Sequence, residues 1–279
     1  MELPETPVRN KKMNLTEEQV LRYGRHLLLP GVGAAGQEKI LRAKIALVGA
    51  GGLGSSAGYY LAAAGVGTLG VIDDDRVELS NLQRQIAHNT ARLGSLKADS
   101  AKATYESLNP DVHVVAHKER LTFRNIKRIL ADYDIVVDAS DNFPTRYLVN
   151  DACVMLKKTL VSAAVSGFEG QVMTIVPGNG PCYRCLFESP PPPGMAASAR
   201  ETGILGAVPG VLGALQATEA IKIVLGLGQP LRGALLTWNA LDMHFRKIKV
   251  PRNKECSVCG DQPTITELTD YEHVCPLGR

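Results

Sequence analysis

The chain has 279 residues and a formal net charge of +3, room for one large α/β domain or two ordinary ones. That charge is too small, without a lysine-rich block or basic stripe, for a nucleic-acid binder. The opening MELPETPVRNKKM lacks the apolar core of a secretory signal, so residues 1–13 read as a polar extension of a cytoplasmic protein.

In chain order, the first predicted element is a helix over 16–28. Thr16, Glu17, Glu18 and Gln19 have capping-box spacing, and Arg22 and Arg25 fall three apart on one face. Strands at 44–48 and 69–73 follow, with a helix at 55–64 between them. The uncharged run 46–72 is long enough to span a bilayer. Its glycines at 49, 51, 52, 54, 58, 65, 67 and 70 instead cut it into strand, loop, helix and strand, so no membrane span is expected. Further strands at 112–116, 134–138 and 159–163 continue the βα alternation of a parallel, doubly wound sheet. After that the pattern changes to antiparallel strands at 171–176, 234–238 and 244–250, with a long helix at 208–225. The fold class is therefore α/β, a Rossmann-like, mostly parallel sheet continued by antiparallel strands. One domain, 14–279, divides into a nucleotide-binding half, 14–165, and a second half, 166–279. Within the latter, SPPPPGMAASARETG at 189–203 reads as a crossover loop, because four successive prolines exclude a helix.

Gly49, Gly51 and Gly54 form a GxGxxG loop between a strand and a helix, with Gly52 inside it, a pattern that lets backbone amides approach phosphate. Asp73 ends the next strand, where a ribose-binding acid belongs. A nicotinamide enzyme would need no more, since hydride chemistry is the cofactor's own. This chain continues with Asn81, Gln83 and Arg84. Bringing a carboxylate to a triphosphate opposes like charges worth roughly 4 kcal/mol per pair at about 4 Å and an effective dielectric near 20. Arg84, Lys97 and the distant Arg25 can cancel that charge, and Asp141, after the strand ending at Asp138, stands where a Mg²⁺ ligand would. Taken singly, Arg84 could pair with Asp74 or Glu78, and Lys97 could be an ordinary solvated lysine. His26 and His88, the histidines nearest these motifs, read as surface or packing residues.

Cys182 and Cys185, with Cys256 and Cys259, make two CxxC pairs, the spacing of two knuckles around one structural Zn²⁺. Two disulfides or a redox pair are the rival readings. Cys153 and Cys275 are left over.

GAGGLG, IDDD, SNLQRQ, the later DN and the paired CxxC knuckles, in that order, resemble the ubiquitin-activating E1-like family of adenylyltransferases of the ThiF, MoeB and HesA type. The resemblance covers about 14–271. It implies an enzyme that uses ATP and Mg²⁺ to adenylate the C-terminal glycine of a small ubiquitin-like sulfur carrier of the MoaD or ThiS type, ending in Gly-Gly, for molybdopterin or thiamine synthesis. It further implies that Gly49, Gly51, Gly52 and Gly54 lie against the nucleotide and that Asp73, with Asp75 nearby, binds the ribose. Ser80, Asn81, Leu82, Gln83, Arg84 and Lys97 would border the phosphates, and Asp141 and Asn142 the metal. The half 166–279 would bind the carrier. Such proteins are homodimers, in which Arg25 would reach the partner's site.

The carboxylate nucleophile is ionised at neutral pH and needs no general base. One departure is plain: Ala199 stands where many relatives carry a loop cysteine. A methyl group forms no thioester, so the chain is expected to stop at the acyl-adenylate and leave sulfur delivery to a separate sulfurtransferase or cysteine desulfurase. A nicotinamide oxidoreductase, an adenylating enzyme for a peptide, small molecule or tRNA nucleoside, and a non-catalytic scaffold are the alternatives.

Overall fold

The structure, a computed structural model, describes residues 15–191, 203–269 and 271. Most of the expected crossover loop, residues 1–13 and Cys275 lie outside them.

Eight strands form one sheet in the order β3-β2-β1-β4-β5-β6-β7-β8. They are β1 (Lys44–Val48), β2 (Thr68–Ile72), β3 (His113–His117), β4 (Ile135–Asp138), β5 (Thr159–Ser166), β6 (Glu169–Ile175), β7 (Ala234–Asn239) and β8 (His244–Lys249). Pairing is parallel from β3 through β5 and antiparallel from β5 to β8, as the change of pattern after residue 163 predicts. Apolar runs bounded by glycine and acid mark strands buried on both faces. Along β1, Ile45 and Leu47 enter one core while Ala46 and Val48 enter the other, the period-2 alternation of a strand.

The helices are α1 (Glu17–Arg22), α2 (Gly24–Leu27), α3 (Gly33–Arg42), α4 (Gly52–Ala63), α5 (Lys97–Leu108), α6 (Ile126–Leu130), α7 (Phe143–Met155) and, as α8, Ala207–Leu225. Leu53, Ala57 and Leu61 of α4, Ala98 and Tyr105 of α5, and Leu212 and Ala220 of α8 fill the first core. Tyr147 and Leu148 of α7, together with Cys182 and Cys256, fill the second. At Gly213 a Cβ would collide with the Leu53 carbonyl, so α8 and α4 touch backbone to backbone. α8 is apolar and long enough to cross a membrane, but half of that window is buried inside the molecule.

The single helix predicted over 16–28 is two. The capping box of Thr16 and Gln19 forms, but the chain leaves the helix at Tyr23, whose φ and ψ are −98° and 12°. The buried Tyr23 hydroxyl bonds Asp111 and Asn109 across the molecule, and this tertiary anchoring wins over helical continuity. The helix predicted from 55 begins three residues earlier, at Gly52, which draws the glycine loop into its first turn.

Candidate active site

β1 is flanked by β2 on one side and β4 on the other, so the chain reverses direction across the sheet there. The crevice at the carboxyl ends of such strands is where open α/β sheets bind ligands. Gly49 sits there with φ +92°, and a Cβ on it would lie 2.8 Å from the Ala139 carbonyl after β4. Only glycine fits. Gly51 is the N-cap of α4 and no side chain caps the helix, so the first-turn amides face the crevice.

The acids and cations converge on this turn. Asp73 accepts the Ala50 amide at 2.7 Å on one oxygen and the Asp75 amide at 2.9 Å on the other. Burial pushes its carboxyl upward, opposed by the nearby Lys97 charge. Lys97 opens α5 with its side chain only 7% exposed and its Nζ 2.8 Å from Asp75. The solvated reading of Lys97 therefore fails. Asp74 and Asp75 are both exposed.

Arg84 pairs with neither Asp74 nor Glu78. Its guanidinium donates to the Ser80 carbonyl at 3.2 Å and to Asn81 Oδ1 at 2.9 Å. Its stem lies over the glycine turn, since a Cβ on Gly52 would meet Pro209 Cγ at 3.0 Å and Arg84 Cγ at 3.5 Å. SNLQRQ thus crosses above the start of α4, wedged by the first turn of α8. Leu82 is half-buried and Gln83 exposed, its carbonyl pressed against Gly206.

Asp141 is exposed beyond β4, on a turn held from behind. Fully buried Asp138 accepts the Ser140 amide at 3.0 Å, the Ser140 hydroxyl at 2.6 Å and the Ser162 hydroxyl at 3.0 Å. Buried Arg146 donates to the Ser140 carbonyl at 2.8 Å. Asn142 spends its side-chain oxygen on the Thr145 amide at 2.9 Å, as the N-cap of α7. The structure thus gives it a helix-capping contact beside the crevice.

Arg25 is elsewhere. It is exposed on α2, next to His26, which bonds Gln37 at 2.9 Å; Gln37 in turn donates to the Ala64 carbonyl at 2.8 Å, just past the far end of α4. Those 12 helical residues place the carbonyl about 18 Å along the axis from the glycine turn. Within one chain Arg25 does not join the crevice.

Sequence reasoning missed the buried groups beneath these residues, Asp138, Arg146 and Gln216. Gln216 of α8 bridges the carbonyls of Asp138 and Val161 at 2.7 and 3.1 Å. His88 is buried, as a packing role requires, and bonds the Ala50 carbonyl. No spacing rule announces such tertiary partners.

The four knuckle sulfurs lie within 4.8 Å of one another. Cys182 and Cys256 Sγ are 3.6 Å apart and Cys185 and Cys259 Sγ 3.3 Å, against about 3.8 Å for the edge of a tetrahedron with Zn–S bonds of about 2.3 Å. All four are free thiols, which removes the disulfide reading, and the meeting of both pairs at one point leaves neither as a separate redox couple. Four crowded thiolates require a cation, so the donor set fits zinc.

The first knuckle docks on α7. Arg184 makes a buried ion pair with Asp151, and the Tyr183 amide donates to Asn150 Oδ1 at 2.8 Å. Tyr271 completes this network with its hydroxyl 2.5 Å from Asp151.

The chain belongs to the ThiF family, whose pattern matches residues 23–258, and is an E1-like adenylyltransferase. It is 53% identical to a sulfur carrier protein adenylyltransferase of Thermus thermophilus over 95% of this chain and 100% of that one. It is 47% identical to the adenylyltransferase and sulfurtransferase MOCS3 of Mus musculus over 98% of this chain, spanning 61% of that protein. Among solved structures, E. coli MccB with ATP superposes with a TM-score of 0.73 at 25% identity, covering 86% of this chain and 74% of that one.

Proposed function

We propose that this chain activates the C-terminal carboxylate of a ubiquitin-like sulfur carrier as an acyl-adenylate, with ATP as the second substrate and pyrophosphate as the product. The convergence of Arg84 and Lys97 on an uncapped helix N-terminus beside Asp73 carries this reading. The sulfur-carrier relative and the ATP-bound neighbour support the choice of substrates.

In this reading the α4 amides, Asn81, Arg84 and Lys97 neutralise the triphosphate. Ser80, Leu82 and Gln83 border it, and Asp73, with Asp75 beside it, takes the ribose. Asp141 would hold Mg²⁺, next to Asn142, and its exposed carboxylate on a braced turn fits that ion. When bound, the ion supplies charge neutralisation at the phosphates. A chain-terminal carboxyl ordinarily titrates at about pH 3.5, so the nucleophile is ionised at neutral pH. One of its oxygens bonds to the α-phosphorus while the α–β bridging bond breaks, and the electron pair leaves with pyrophosphate. No proton moves, and the rate rests on orientation and charge.

We assign the carrier's body to the half 166–279, where all of β8 is exposed and Leu241, Met243 and Phe245 face solvent. We also propose a homodimer in which Arg25 serves the partner's site, flanked by Leu21 and Leu28, which are 84% and 75% exposed. Ala199 lies outside the described residues. With no thiol there, we infer that a separate sulfurtransferase or cysteine desulfurase consumes the adenylate, in the cytosol, where the four zinc thiolates stay reduced.

The test is ATP–pyrophosphate exchange with candidate carriers, alongside mass spectrometry for an AMP-sized addition to the carrier. Arg84→Ala and Asp141→Ala are expected to abolish exchange while circular dichroism and zinc content match the parent. Exchange needing neither carrier nor Mg²⁺ would overturn the reading, and turnover of a low-molecular-weight carboxylate alone would move it to a small-molecule enzyme.

A further inference from the structure

We propose that His88 is a positioning residue for the nucleotide, fixing the peptide plane from which the glycine turn departs. Its Nε2 lies 2.9 Å from the Ala50 carbonyl and its Nδ1 2.9 Å from Ser100 Oγ on α5, and the residue is only 6% exposed. A carbonyl oxygen only accepts, so Nε2 carries the proton and Nδ1 accepts from the serine hydroxyl. Burial holds the imidazole below its ordinary range, a direction that the facing Lys97 and Arg92 reinforce, so one defined neutral tautomer occupies the site at neutral pH.

The Ala50 residue is thereby held from both sides. Its amide donates to Asp73 at 2.7 Å and its carbonyl receives His88. Ala50 directly precedes Gly51 and Gly52, whose lack of side chains leaves the backbone free to pivot. Two anchors on the residue before them aim the α4 amides into the crevice. Ser100 lies one helical turn after Lys97 on the same helix, so the imidazole also couples the amide end of the phosphate site to its lysine end.

The inference rests on the ATP reading above, and its test separates the two. Amide hydrogen exchange over residues 48–56 is measured on the full chain without nucleotide, and ATP affinity by calorimetry, for the parent, His88→Leu and His88→Gln. The leucine variant loses the donor. Glutamine retains an N–H at comparable reach.

His88→Leu is expected to raise exchange at Ala50 and Gly51 and to weaken ATP about tenfold, equal to about 1.4 kcal/mol. His88→Gln should restore most of both. Unchanged exchange in His88→Leu, or a glutamine variant as impaired as the leucine one, overturns the positioning role. Should the parent bind no ATP, the nucleotide reading fails by itself, and the proposal falls with it, whatever exchange shows.

Discussion

Asp73 and His88 meet at one residue, Ala50, yet only the first is legible from the sequence. An acid at the end of the second strand follows from the spacing of the glycine motif, and a lysine and an arginine near a phosphate loop carry a charge argument of their own. A histidine that donates to a carbonyl 38 residues earlier has no such signature, because its partner is set by how α5 packs against the turn. The same holds for Asp138 and Arg146, which brace Asp141 from below.

The lowered His88 pKa also has a thermodynamic sign. Its stabilising contribution is fully present above the unfolded value near 6.5 and is lost as pH falls through the folded value. Urea titrations from pH 7.5 to 5 should show the parent losing stability relative to His88→Gln as the solution becomes more acid. Parallel curves would show that no proton-linked penalty exists there.

Helix α7 joins two sites that the motifs present as unrelated. Its N-terminus follows Asp141, and its later turns carry Asn150 and Asp151, which grip the first knuckle. The CxxC spacing announced the four clustered thiols but not this docking, since Tyr183 and Arg184 are the unspecified residues between the cysteines. Arg184 also lies over the rings of Tyr147 and Tyr271, with its carbon Cζ 4.6 and 5.3 Å from their centroids. Arg184→Leu would leave the Asp151 carboxylate buried without its charged partner, a loss of roughly 3–5 kcal/mol. Chemical denaturation should show that loss, and Asp151→Asn together with Arg184→Leu should recover part of it. A near-neutral single variant would mean that water reaches the pair. The break at Tyr23 teaches the reverse lesson about elements: an uninterrupted helical pattern yields where one ring finds partners on the distant loop between α5 and β3.

At the scale of the whole molecule, the alternation of buried strands and helices made the parallel half readable, and the shift to hairpin spacing made the antiparallel half readable. What the sequence left open was where Arg25 stands, because helices α1 and α2 precede the sheet and their side of it depends on packing. The structure sets it at the end of α4 opposite the glycine turn. If the proposed dimer lends this arginine across a twofold axis, two inactive chains should complement each other. Mixing Arg25→Ala with Arg84→Ala under exchange of subunits should restore about a quarter of parental activity, since half the dimers then hold one whole site of two. Zero recovery would place Arg25 outside the reaction.

The knuckles have a topological consequence of their own. Thiols from 182–185 and 256–259 converge at one point, so the proposed zinc would close the intervening polypeptide, with α8 and the last hairpin, into a loop. On the proposed zinc reading, severing a peptide bond between Cys185 and Ala234 would not by itself cast the two pieces adrift, since the clasp and the β6–β7 ladder would still bind them. Changes in the length of the connection between Cys185 and α8 are accordingly expected to leave β6 and β7 paired.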